Sequence, residues 1–211
     1  MQNPLNHPSA LRTIGLLFLG LVLAGVFAGL VRSFSGTPSS AGVVPSGPLP
    51  GELVTPAPWP ANNGPQLAAR LAALGLPALA AEGTTLHIHA HLDVFVDGRR
   101  VVVPAGIGID RDGTFVSPLH THDASGIIHV ESPTIRTFTL GEFLGVWGMR
   151  FRGGCLGGSC AGHGRAVHVY ADGRPVTNAA QLPLAAHEEI VVAFGQVPSP
   201  VPSSYAFPPG V

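Results

Sequence analysis

The stretch Leu86–Val96, LHIHAHLDVFV, constrains the fold more than any other part of the chain. In an extended chain successive side chains point to opposite faces. Leu86, Ile88, Ala90, Leu92, Val94 and Val96 then share one face, and His87, His89, His91, Asp93 and Phe95 share the other. A period of two sustained this long argues for a long strand with one face on a core and the other polar. Asp97-Gly98 follows, the dipeptide favoured in two-residue type I′ hairpin turns. In that register Val96 opposes Arg99, Val94 opposes Val101 and Leu92 opposes Val103, so apolar meets apolar. Pro104 closes the return strand.

A second hairpin, Val167 to Val176, turns at Asp172-Gly173-Arg174 in the same way. Glu189–Phe194 (EIVVAF) reads as a short, buried, central strand. Between the hairpins, Phe138 to Trp147 starts a helix. Thr139 and Glu142 fit a capping box, and Phe138 with Phe143 fits the hydrophobic staple around it. Leu140, Phe143, Leu144 and Trp147 form the apolar stripe that packs on the sheet. Residues Gln66 to Leu79 also have helical spacing, at Leu67, Leu71 and Leu74, with Pro77 expected to end or kink the helix. The expected fold is therefore α+β: a mainly antiparallel sheet of hairpins with one packed helix, β-grasp-like, with a small β-sandwich as the alternative.

The polar face of the first strand is a row of histidines. A second alternating run, His120-Thr121-His122-Asp123, precedes Ile127-Ile128-His129-Val130-Glu131. If Asp123-Ala124-Ser125-Gly126 is a four-residue hairpin loop, His122 opposes Ile127 and His120 opposes His129. His120, His122 and His129 then converge on one side of one hairpin, with Glu131 two residues further on that face. Three imidazoles from adjacent strands are the ligand set of a tri-histidine zinc site with an open fourth position. Glu131 is a candidate ligand, outer acceptor or general base, and Asp123 a candidate orienter of a ligand imidazole. His87, His89 and His91 cannot all reach one ion, because strand rise separates the first and third by roughly 13 Å. Two of them could face the second hairpin and complete a higher-coordinate or dinuclear site. His168 and His187 stand alone and read as surface or hydrogen-bonding residues.

Imidazole suits zinc, copper, nickel and iron. The presence of only two methionines argues against a thioether-rich copper(I) carrier, and a zinc or copper ion is the expected cofactor. A net charge of −1 gives no electrostatic case for nucleic acid. No nucleophile–base pair stands in a recognisable motif.

The 211 residues divide by composition. Residues 1–12 form a short N-terminal tail. Residues 13–31 are an uncharged apolar run, long enough to cross a bilayer as a helix. An uncleaved transmembrane anchor is the favoured reading, and a signal sequence exiting at Val26-Phe27-Ala28 is the alternative. Either exports the chain, so the expectation is a single-pass cell-membrane protein with its bulk extracytoplasmic, or a secreted one. Residues 32–65 are a Pro/Gly/Ser-rich linker, residues 66–196 the His-rich α+β domain, and residues 197–211 a Pro-rich tail that docks if Tyr205 and Phe207 are buried. Cys155 and Cys160 are the only cysteines. Export favours a disulfide closing a glycine-rich loop, against Cys-x4-Cys-x2-His as part of a soft metal site.

The blocks HIHAHLDVFVDG, VPAGIGI, LHTHDASGIIHVESP and FTLGEFLGVWG resemble an uncharacterised group of membrane-anchored or secreted prokaryotic proteins. The resemblance spans roughly residues 66 to 208, and HTHD with GIIHVESP is its most specific part. It implies an N-terminal hydrophobic segment and a coherent histidine block, with no established activity. The Cys-Gly loop at 153 to 162 departs from the pattern. Three functions follow from the residues: a membrane-tethered zinc- or copper-binding domain, a metalloenzyme whose open tri-His site activates water for hydration or hydrolysis, and a non-metal protein-interaction module with pH-sensitive histidines.

Overall fold

The computed structural model describes residues 42 and 44–211. The N-terminal tail, His7 and the apolar run at 13–31 lie outside the described residues. Among the described residues no helix is long and apolar enough to cross a membrane.

The elements in chain order are α1 (Leu67–Leu74), β1 (Leu86–Val96), β2 (Arg99–Val101), β3 (Leu119–His120), β4 (Ile127–Ser132), α2 (Leu140–Trp147), β5 (Cys155–Leu156), β6 (Ser159–Cys160), β7 (Val167–Ala171), β8 (Arg174–Pro175) and β9 (Glu189–Phe194). The fold is α+β. Its main sheet has seven strands in the order β3-β4-β1-β9-β7-β8, with β2 pairing β1 beside the end of β4. One sheet faces the helices, rather than a sandwich of two, and among the described residues two helices pack rather than one.

Both Asp-Gly turns form as expected. Asp97 and Gly98 have φ of 49° and 75°, and Asp172 and Gly173 have 48° and 74°. Positive φ at both central residues is the type I′ geometry that matches strand twist. Val94 pairs Val101 and Val96 pairs Arg99, although β2 ends before Val103. The hairpin reading lacked the central pair. β1 and β9 run parallel, His91 beside Glu189 through Val96 beside Phe194, so the sheet is mixed.

Alternation determines what each face does. Ala90, Leu92 and Val94 of β1, Ile128 and Val130 of β4, and Ile190, Val192 and Phe194 of β9 form one buried core with Phe143, Leu144 and Trp147 of α2. The α2 capping box forms: the Glu142 N–H donates to Thr139 Oγ at 3.2 Å, and the Thr139 N–H donates to Glu142 Oε2 at 2.9 Å. α1 stops earlier than its proline suggests. Gly75 takes the left-handed conformation (φ 67°) and its N–H bonds to the Ala72 carbonyl, so the helix ends before Pro77. Arg70 of α1 is fully buried and donates through Nε to the Val146 carbonyl at 3.1 Å and to the Pro50 and Asn62 carbonyls. Within the segment that reads as linker, Leu49 and Trp59 are buried in this core.

The opposite sheet face is divided. Around Phe95, Val191 and Ala193 it is apolar and packs against Tyr170, Val197 and Val201, the latter two from the chain after β9. The half formed by the start of β1, β3 and β4 carries the histidines.

Candidate metal centre

Three neighbouring strands place imidazoles in one row. His89 of β1 pairs with His129 of β4, and His129 pairs with His120 of β3. Residues paired across strands share a face, so alternation alone aligns all three. In the next row His87 pairs with Glu131. The rings touch in sequence: centroids lie 4.9 Å apart for His87–His89, 4.6 Å for His89–His129, 4.3 Å for His122–His129 and 4.7 Å for His120–His122.

His122 arrives by a different route from the one its spacing suggests. β3 ends at His120, so His122 does not oppose Ile127 in the sheet. Thr121 leaves the ladder, accepting the Ile107 N–H at 3.1 Å and donating to the Pro104 carbonyl at 2.8 Å. His122 then folds against His120, Nε2 to Nε2 at 3.2 Å. Asp123 accepts the Ser125 N–H at 2.9 Å and shapes the loop, rather than taking an imidazole proton.

One tautomer is set by a backbone bond. His120 Nδ1 donates to the Ser117 carbonyl at 3.0 Å, which leaves its Nε2 lone pair facing the cluster. Glu82 Oε1 lies 3.7 Å from that nitrogen and 3.3 Å from His122 Nε2. On the other side Glu131 Oε1 is 3.1 Å from His129 Nδ1 and 3.3 Å from His87 Nε2, and His87 Nε2 is 3.2 Å from His89 Nε2. A tetrahedral site with metal–nitrogen bonds of 2.0–2.1 Å has ligand atoms about 3.3 Å apart. The observed separations match that edge. His120, His122, His129 and Glu131 each offer a ligand atom within 4.8 Å of the others, and so do His87, His89 and Glu131.

Electrostatics keep the lone pairs free. Burial pushes the His120 imidazole down to about 3, with His122 and His129 adding repulsion. Burial and then neighbouring imidazoles hold His129 and His89 at about 4. Burial, then Glu82, raises the Glu131 carboxyl. At neutral pH the three rings are uncharged, each keeping one nitrogen lone pair for which no second proton competes with a cation.

His91 stands apart from the other histidines. Its Nδ1 lies 2.6 Å from Glu189 Oε2 and its Nε2 lies 2.9 Å from the Ser125 carbonyl, so both ring nitrogens face acceptors. The Tyr205 ring stacks on it at 3.7 Å, which docks the C-terminal segment. His91, Asp93 and Glu189 form a separate compact group. His168 is exposed, and His187 lies against Phe207 with Nε2 3.1 Å from Val211 O. Cys155 and Cys160 face each other in the β5–β6 ribbon and are joined by a disulfide, so neither serves as a thiolate ligand.

Glu82 is the residue that sequence reasoning missed. It sits in the loop before β1, where no period announces it. The one local signal is Gly83 beside it. A Cβ there would meet the Ser132 carbonyl carbon at 2.2 Å and Pro133 N at 2.4 Å, so only glycine lets this loop lie against the end of β4 and hold Glu82 over the histidines. Glu189 was likewise read only as a strand residue.

No family model matches this chain, and neither a curated protein nor a solved structure does.

Proposed function

We propose that this protein is an extracytoplasmic, membrane-tethered domain that binds zinc or copper(II) through strand-borne histidines. The observation that carries the reading is the juxtaposition of His120, His122, His129 and Glu131, with ligand atoms within 4.8 Å of one another on a sheet face. The donors are imidazole and carboxylate without thiolate or thioether, which suits zinc and copper(II) rather than copper(I). The disulfide supports an oxidising compartment. The apolar run at residues 13–31 supports the tether. The resembling prokaryotic group, which shares the histidine block, would carry the same site.

The test uses the full chain purified without a histidine tag. Elemental analysis should find zinc or copper, and added metal should raise the thermal midpoint of the stripped protein. Absence of both effects removes the reading.

A second reading, water activation on the bound ion for hydration or hydrolysis, is favoured by one observation. A solvent-open cavity of about 440 Å³, lined by His87, His89 and His187, adjoins the cluster. An ion bound there would lower the pKa of its water, with Glu131, 3.3 Å from His87, as the base. Esterase and carbon dioxide hydration assays on the loaded protein test it.

A further inference from the structure

We propose that the cluster holds two ions, with the Glu131 carboxylate shared between them. The inference rests on the metal-binding reading above and deepens it.

The donors outnumber what one ion uses. His87, His89, His120, His122 and His129 lie in continuous ring contact, with Glu131 and Glu82 beside them. A four-coordinate ion takes four donors. The ends of the cluster are formed by different nitrogen pairs: His120 and His122 at one, His87 and His89 at the other, each pair 3.2 Å apart. Glu131 is the one residue that belongs to both compact groups, His120–His122–His129 and His87–His89. Its Oε1 contacts a ring on each side, at 3.1 Å from His129 and 3.3 Å from His87. A carboxylate between two nitrogen-rich sites is the arrangement that holds ions roughly 3.5–4 Å apart in two-metal centres.

Charge points the same way. Among the described residues Glu82 and Glu131 make ion pairs with histidines only, never with an arginine. Both acids sit against imidazoles without a fixed positive charge beside them, which bound cations would supply.

The His87 side chain is 52% exposed and that of His122 is 44% exposed, at opposite ends, so each can be replaced without opening the core. The full chain, stripped with a chelator, is titrated separately with zinc and with copper(II), and its stoichiometry read by native mass spectrometry. Two ions per chain are expected. His87→Ala should weaken the second ion at least tenfold and leave the first in place, and His122→Ala should weaken the other ion instead. Copper(II)-loaded protein should show a spin-coupled electron paramagnetic resonance spectrum. One ion per chain overturns this inference while the binding reading stands. No ion overturns both. Two ions with independent copper(II) signals overturn the shared carboxylate.

Discussion

His120 and His129 face each other across β3 and β4, their rings stacked 15° from parallel with centroids 5.3 Å apart, and His89 meets His129 from the other side. His129 is thus the central imidazole of the row. His129→Ala should reduce metal affinity by at least about tenfold to a hundredfold, a larger loss than for a residue at either end. Isothermal titration of the stripped variant against wild type measures it, and unchanged affinity would exclude His129 as a ligand.

Stability of the metal-free protein should fall on acidification. His120 titrates at about 3 and His129 and His89 at about 4 in the folded chain, against 6.5 for the unfolded residue. Below 6.5 the unfolded state therefore binds more protons, so stability declines from that point down toward pH 4. Each group contributes at most about 1.4 kcal/mol per pH unit. Glu131 and Glu188, raised by burial, act in the opposite sense but are fewer than the three histidines. Urea melts at pH 7 and pH 5 should show the lower midpoint at pH 5, and equal midpoints would contradict the buried neutral rings.

Gly83→Ala places a methyl group against the backbone at Ser132 and Pro133. Overpacking of this kind costs about 1–3 kcal/mol. Because it also displaces Glu82, the gain in thermal midpoint on adding zinc should shrink in the variant. A lower midpoint with an undiminished zinc effect would place Glu82 outside the site.

Replacing both Cys155 and Cys160 by serine opens a loop with a sequence separation of 5. Chain-entropy arguments put the loss for so short a loop at about 2 kcal/mol. Metal content should be unchanged, because both sulfurs are already bonded to each other. Loss of metal together with the disulfide would tie the two features.

Much of the fold is legible because it follows from short-range rules. The period of two in β1, the Asp-Gly turns and the Thr139–Glu142 capping box each depend on residues close in sequence, and each forms as expected. The pairing of His120 with His129 was readable from the two short alternating segments, although the connection is longer than the four-residue loop expected, because Thr121 and His122 leave the ladder. The parallel pairing of β1 with β9 was not, because a buried apolar strand such as EIVVAF does not state its partner. Arg70 was also invisible, since the carbonyls that accept its hydrogen bonds come from chain segments far apart.

By itself, the sequence determined that histidines line one face of a strand and that His120, His129 and Glu131 share a face. Alternation places His129 with Glu131, and pairing of the two segments in the expected register adds His120. Tertiary structure decided the membership of the cluster. Docking β4 on β1 brought His87 and His89 to Glu131, ending β3 at His120 turned His122 inward, and packing of the Gly83 loop supplied Glu82. The stack on Tyr205 and the pair with Glu189 held His91 apart. Ligand convergence over a few ångströms depends on contacts between segments distant in sequence, and local patterns carry no term for those.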